Sequence, residues 1–229
     1  MAQIGIPGAQ AAVCIFAKPP VRGMVKTRLI PAVGADKAAE LAEAFLRDTL
    51  RVVDRFERAD LVIAATEPFV RDYLRGYPMW IQPEGDLGCR LEAILRHALL
   101  ERPIALAIGA DSPGLPLHCL DKARNLLRSH DAVLGPSIDG GFYLIGVKHC
   151  PPGLLSGIQW STPTTMEQTI SRLRQQGLSI ALVPEWFDID TVDELERLAS
   201  LLRAGTVECP HTRDVLGSIF RIQSMRCCQ

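Results

Sequence analysis

Short apolar runs alternate with longer stretches of helical periodicity along this chain, and that alternation constrains its fold more than any other feature. The tightest run is residues 104–109, IALAIG, which is almost wholly apolar. A strand without polar alternation is buried on both faces, as a central strand of a parallel sheet is. Residues 12–17, 60–65, 79–82, 132–136, 142–147 and 180–183 read as further strands. Between them, residues 35–53 carry Leu41, Ala42, Phe45, Leu46, Thr49 and Val52 at helical spacing. Residues 87–100 place Leu87, Leu91, Ile94, Leu95 and Ala98 on one face. Helices are also predicted over 67–75, 117–129, 163–176 and 213–223, with Pro163 in a first turn capped by Ser161 or Thr162. Thr191 and Glu194 form a capping box that opens a helix to about 202. Repeated strand–helix units predict one α/β domain with a mainly parallel sheet.

That domain is placed at 12–223, between an N-terminal extension (1–11) and a C-terminal tail (224–229). Hydrophobic residues make up 48% of the chain, enough for a sizeable core. Lys plus Arg number 25 against 26 Asp plus Glu, so there is no global basic field and no nucleic-acid partner is expected. No apolar run approaches the ~18 residues that span a bilayer. The first twenty residues lack the basic start of a signal peptide. The seven cysteines contain no C-x-x-C pair, and Cys14 reads as a buried reduced thiol. The five histidines show no H-x-x-x-H spacing, so zinc is not expected. These features predict a cytoplasmic protein. They leave its oligomeric state open, as they do the role of the Cys227–Cys228 pair.

Ligands of such sheets sit beyond the carboxyl ends of the strands, and four segments there carry chemistry. Lys18, Arg22, Lys26 and Arg28 put four cations and no acid into 11 residues directly after the first strand. Such a loop suits phosphate, with Gly23 allowing close backbone approach; a solvated basic loop is the plainer reading. Neither G-x-x-x-x-G-K-[ST] nor G-x-G-x-x-G follows that strand, which disfavours P-loop NTPases and dinucleotide-dependent dehydrogenases. Asp111 ends the most apolar strand, where a carboxylate needs a cation or a metal unless it merely caps a turn. With no His or Cys cluster, a hard cation such as Mg²⁺ or Mn²⁺ is the natural partner. Asp139-Gly140-Gly141 can place backbone N–H groups against a ligand, or form an ordinary hairpin turn. Asp188 and Asp190 lie on one side of an extended segment, and helix capping by that segment is the simpler account. The D-x-D-x-[TV] spacing there also suggests a haloacid-dehalogenase-like nucleophile. That motif opens its domain, however, and only 39 residues follow Asp190.

Five motifs in order resemble the DUF2064 family of the nucleotide-diphospho-sugar transferase (GT-A) superfamily. They are Phe16 to Leu29, Gly85 to Gly88, Gly109 to Pro113, Gly135 to Gly141 and Asp188 to Thr191, within a similarity over roughly 12–220. The chain is similar, more distantly, to phospholactate guanylyltransferases and molybdenum-cofactor nucleotidylyltransferases. The resemblance implies a single-domain GT-A-like (Rossmann-like) α/β/α sandwich. It implies that Lys26 and Arg28, with Lys18, Arg22, Gly23 and Thr27, hold nucleotide phosphates, and that Gly85, Asp86 and Gly88 approach the nucleoside. It implies that Asp111 and Asp190 ligate Mg²⁺ or Mn²⁺, that Lys26, Asp111 and Asp139 form the catalytic set, and that Asp139, Gly140 and Gly141 border the acceptor. Where this family commonly has an acid, the chain has Cys89. The stretch ending at Asp111 is Gly-Ala-Asp, without the first Asp of the D-x-D of many metal-dependent glycosyltransferases.

The function expected is therefore transfer from an NTP or NDP-sugar to a small acceptor, by nucleotidylyl or glycosyl transfer. A non-catalytic nucleotide binder on the same fold is the alternative. Base, sugar and acceptor are not set by these motifs.

Overall fold

The computed structural model describes residues 8–226, and side chains as far as 219. In chain order the strands are β1 (Ala11–Ala17), β2 (Ala59–Ala65), β3 (Met79–Ile81), β4 (Ala105–Gly109), β5 (Ala132–Pro136), β6 (Phe142–Val147) and β7 (Ile180–Leu182). The helices are α1 (Ile30–Val33), α2 (Ala35–Val53), α3 (Leu87–Glu101), α4 (Leu117–Leu126), α5 (Thr165–Gln175), α6 (Val192–Arg203) and α7 (Pro210–Arg226). The strands form one sheet in the order β3-β2-β1-β4-β6-β5-β7. Only β6 runs antiparallel, against both β4 and β5. The carboxyl ends of the other six strands therefore share one edge.

Both faces of the sheet are covered, which is why its central strands are apolar throughout. Ala11, Val13 and Ile15 of β1 pack with Leu46 and Leu50 of α2 and Leu120 and Ala123 of α4. Ala12 and Cys14 turn the other way, against Leu91, Ile94 and Leu95 of α3. Burial pushes the Cys14 thiol up to about 12, so it stays protonated and inert. A second stripe of α2, Leu41 and Phe45, packs with Leu195 and Leu198 of α6 and Leu216 and Ile219 of α7. Three layers around a mainly parallel sheet follow.

The helices differ from the sequence reading at several limits: α1 is not expected, α4 stops at Leu126 instead of 129, and α7 runs past 223 to Arg226, into the expected tail. Three further differences have clear causes. Residues 67–75 hold only a single 3₁₀ turn, Asp72–Leu74. Phe69, Tyr73 and Tyr77 have helical spacing, but Pro68, Gly76 and Pro78 bracket too few residues to nucleate a helix. Pro163 precedes α5 instead of opening it, and no side chain caps Thr165–Gln175. There Ser161 takes a left-handed φ of 59°, and the Thr165 hydroxyl donates to the Gln159 and Thr162 carbonyls at 2.8 Å each. The last helix begins at Pro210, three residues early, because its start is capped from α2. Asp48, 1% exposed, accepts hydrogen bonds from His211 N–H at 3.1 Å and Thr212 N–H at 2.8 Å, and from the Thr212 hydroxyl at 2.6 Å.

The predicted capping box is present. Thr191 accepts from Glu194 N–H, and the Glu194 carboxylate accepts from Thr191 N–H. Thr191→Ala is expected to cost about 1 kcal/mol, the usual worth of such a cap. Urea denaturation checks this, and an unchanged midpoint would show that α6 is held by packing alone.

Candidate functional site

Segments beyond β1, β4, β5 and β7 meet at the common edge. The loop after β1 carries Lys26 in a left-handed conformation, φ 46°, uncommon for a residue with a side chain. That turn aims the side chain inward. Its Nζ lies 3.0 Å from Asp111 Oδ1 and 2.9 Å from Asp190 Oδ1. The ring of Phe45 lies 5.6 Å away on α2. The Lys26 side chain is 4% exposed, whereas those of Asp111 and Asp190 remain about half exposed at 51% and 47%. The two carboxylates are thus no farther apart than their contacts with one ammonium allow.

Charge balance follows from this arrangement. Burial works against the Lys26 cation, but the charges of Asp111 and Asp190 outweigh it and hold its pKa above the ordinary value. Burial likewise opposes ionisation of Asp190. Lys26, with Arg28 and Lys18 nearby, prevails and keeps its carboxyl below the ordinary range. Lys18 and Arg28 are exposed near this point. Arg22 faces α2 instead, where it pairs with Asp36 at 2.6 Å.

The segment 186–190 is bound to the neighbouring strand ends. Trp186 N–H donates to the Pro136 carbonyl at 3.0 Å, and Ile189 N–H to the Asp111 carbonyl at 2.9 Å. Ile189 is fully buried, so Asp188 and Asp190 project to its other side, as the period of two requires. They do different things. Asp190 reaches Lys26. Asp188 accepts a short hydrogen bond from the Ser112 hydroxyl and a long one, 3.5 Å, from the Ser137 hydroxyl. Burial, with the charges of Asp111 and Asp139 adding to it against Ser112 and Lys26, raises its carboxyl to about 6.

Ser112 and Ser137 have no individual role in the sequence reading, and Asp188 enters it only beside Asp190, in a capping segment or a dehalogenase-like motif. The spacing of Asp188 from Asp190 was the available signal. The serines could not be singled out, because their partner lies 76 and 51 positions away.

The remaining predicted residues have local structural duties. Asp139 Oδ1 accepts from Gly141 N–H at 2.9 Å within the β5–β6 turn. Gly140, at φ 88°, lies so close to 163 that a Cβ would fall 2.1 Å from the Pro163 carbonyl oxygen. Gly85 and Asp86 start α3. The Gly85 carbonyl accepts from Arg90 Nε, and Asp86 caps Cys89 N–H, each at 2.8 Å. At Gly88 a Cβ would meet the Trp160 ring at 2.9 Å. Cys89 is exposed, while Cys14, Cys119, Cys150 and Cys209 are buried free thiols. A hydrogen bond to Asp86 raises the Cys89 thiol, so it keeps its proton. Cys89→Ser is expected to remove one accessible equivalent in thiol titration of the native protein; an unchanged count would contradict that exposure. Cys227 and Cys228 lie outside the described residues.

Asp111 and Asp190 fit a hard divalent cation in donor type and convergence. Among the described residues no three His, Cys, Asp or Glu side chains gather as a metal cluster. The protein would thus supply two carboxylates, the pattern of a Mg²⁺ ion that keeps waters and takes substrate phosphates.

The strand order and the single antiparallel strand are those of the nucleotide-diphospho-sugar transferase fold. The chain belongs to the DUF2064 family, described as uncharacterized protein conserved in bacteria, whose model matches residues 35–162. It is 31% identical to a solved protein from Desulfovibrio desulfuricans G20 provisionally named a nucleotide-diphospho-sugar transferase, with a TM-score of 0.81 over 91% of this chain and 94% of that one. A cytidylyltransferase from Leptospira borgpetersenii serovar Hardjo-bovis shares the fold at 15% identity and TM-score 0.59, covering 94% and 95% of the two chains. So does CMP:2-keto-3-deoxy-manno-octonic acid synthetase complexed with CTP, at 14% identity and TM-score 0.54, over 86% and 99%. No curated protein matches the sequence. No helix among the described residues is long and apolar enough to cross a membrane.

Proposed function

We propose that this protein is a divalent-metal-dependent transferase. It binds an NTP or NDP-sugar beyond β1 and β4 and passes the nucleotidyl or glycosyl group to a small acceptor. The observation that carries this reading is the convergence of Lys26, Asp111 and Asp190 at the carboxyl edge of the sheet. Cations and metal-type carboxylates at one point suit a polyphosphate that is bound through a divalent ion. Lys18 and Arg28 stand exposed beside Asp190 and bring charge to the phosphates, and Lys26 supplies a third cation. Arg22, Gly23 and Thr27 form the outer part of the same loop. Asp111 and Asp190 would hold Mg²⁺ or Mn²⁺, which when bound neutralises charge that develops on the phosphates. The Asp139–Gly141 turn borders the acceptor, and the exposed Gly85 and Asp86 approach the nucleoside, while Gly88, buried against Trp160, sets the start of α3 beneath them.

Nucleotidylyl transfer is favoured by the dense cationic loop, and by cytidylyltransferases among proteins of this fold. Glycosyl transfer is favoured by the name of the relative at 31% identity. Water can replace an unknown acceptor, which gives a direct test. Nucleotidylyl chemistry then converts an NTP and water to NMP and pyrophosphate. Glycosyl chemistry converts an NDP-sugar and water to NDP and free sugar. A panel of both substrate types with Mg²⁺ or Mn²⁺ should show one pattern, lost in Asp111→Asn. Metal-dependent thermal stabilisation without turnover of any member would instead mark a non-catalytic nucleotide binder.

A further inference from the structure

Lys26 does not wait in the open for a phosphate. Its side chain is 4% exposed, and its ammonium lies between two carboxylates, 3.0 and 2.9 Å from their oxygens, which is the position a bridging cation would take. We propose that Lys26 is the resident counter-ion of the Asp111–Asp190 pair in the nucleotide-free protein, so that a divalent cation and a polyphosphate bind cooperatively. This rests on the transferase reading and adds to it an order of affinities.

The argument is one of charge. With Lys26 in place, two half-exposed carboxylates share one directly paired ammonium, with Arg28 and Lys18 farther off, and their mutual repulsion is relieved. For Asp111 and Asp190 to serve a divalent ion alone, Lys26 must leave them. Its buried ammonium then keeps the Phe45 ring 5.6 Å away and the more distant charge of Asp188, a weak substitute for two directly paired anions. If a polyphosphate drew Lys26 away alone, the carboxylates would lose their direct ion pair beside further negative charge, with only the more distant Arg28 and Lys18 to offset it. When both ligands arrive, Lys26 exchanges carboxylates for phosphate and neither cost remains. Each ligand thus raises the affinity for the other by the same factor, as linkage requires.

The left-handed backbone at Lys26 supports this reading. A residue with φ of 46° is held against its own preference, and the ion pairs to Asp111 and Asp190 supply a reason for it. A lysine that served phosphate alone would need no buried position between acids.

The test uses Mn²⁺ alone, followed by electron paramagnetic resonance of the free ion, on the whole protein without nucleotide. Lys26→Met should bind Mn²⁺ at least fivefold more tightly than the wild type, the lower end of ordinary coupling. Lys26→Arg, which restores a cation, should return affinity to the wild-type value. Adding Asp190→Asn to Lys26→Met should abolish the gain. If Lys26→Met does not fold, Lys26→Gln removes the charge while keeping a donor, and the same fivefold criterion applies. An uncharged variant that folds yet binds Mn²⁺ no more tightly overturns the proposal, as does a gain that survives Asp190→Asn. Failure of the transferase reading is a separate result: no NTP or NDP-sugar binds the wild type with or without metal.

Discussion

Lys26→Ala is expected to weaken nucleotide binding by about 1.5–3 kcal/mol, the loss of a charged hydrogen bond, or roughly tenfold to more than a hundredfold in Kd. The variant should also lose stability. Lys26 lies between Asp111 and Asp190, so its removal leaves two like charges facing each other. Both carboxylates are half exposed and solvent screens them, which limits the cost to about 1 kcal/mol. The sequence alone predicts a nearly unaltered fold for this substitution, since it places Lys26 in an open loop. Isothermal titration with an NTP or NDP-sugar that binds the wild type measures the first effect, and thermal denaturation the second. Wild-type affinity in Lys26→Ala would remove Lys26 from the phosphate site.

The fold was legible wherever burial is symmetric. β1 and β4 are covered on both faces, so their sequences are continuous apolar runs that no helix periodicity mimics. α2 was legible to the residue, because Gly34, at φ 83°, marks its start and its apolar spacing continues to Val53. The start of α7 was not legible, since its cap comes from Asp48, more than 160 positions earlier. The segment at 67–75 misled for the opposite reason. Its aromatic spacing comes from packing of Phe69, Tyr73 and Tyr77 onto the core under α2, and a helix is not needed for that.

For the site, the strand-end rule brought the right segments together but could not tell what each side chain would meet. Asp111 and Asp190 converge as the motif order suggested. The group between them is a lysine from a loop 164 positions before Asp190, which both the charge pattern and the family resemblance assign to phosphate. Arg22 was grouped with the same cations, yet its partner is Asp36 on α2. Asp139 and Gly140 show why a turn motif is ambiguous. Their hydrogen bond and close approach hold the hairpin, and the same geometry leaves the turn at the edge where an acceptor would arrive.

Asp188→Asn is expected to stabilise the protein at alkaline pH, contrary to the usual effect of removing a hydrogen-bonded acid. Burial, helped by Asp111 and Asp139, holds the Asp188 carboxyl at about 6 against an ordinary 3.8. Between those two values the folded protein retains a proton that the unfolded chain has released. Rising pH therefore favours the unfolded state across this window, and the penalty is complete above about 6. At 1.36 kcal/mol per pKa unit it amounts to at most about 3 kcal/mol. Asparagine can still accept from Ser112, and its amide can donate to Ser137, so the packing survives while the charge does not. The variant should melt several degrees above the wild type at pH 8, and the two should converge near pH 4. A variant less stable than the wild type at pH 8 would show that the ionised carboxylate anchors the strand ends. If the stabilisation is found, Asp188 weakens the fold at neutral pH. A carboxylate held at such a cost beside Asp111, Lys26 and Asp139 belongs with groups whose environment serves a ligand rather than the fold.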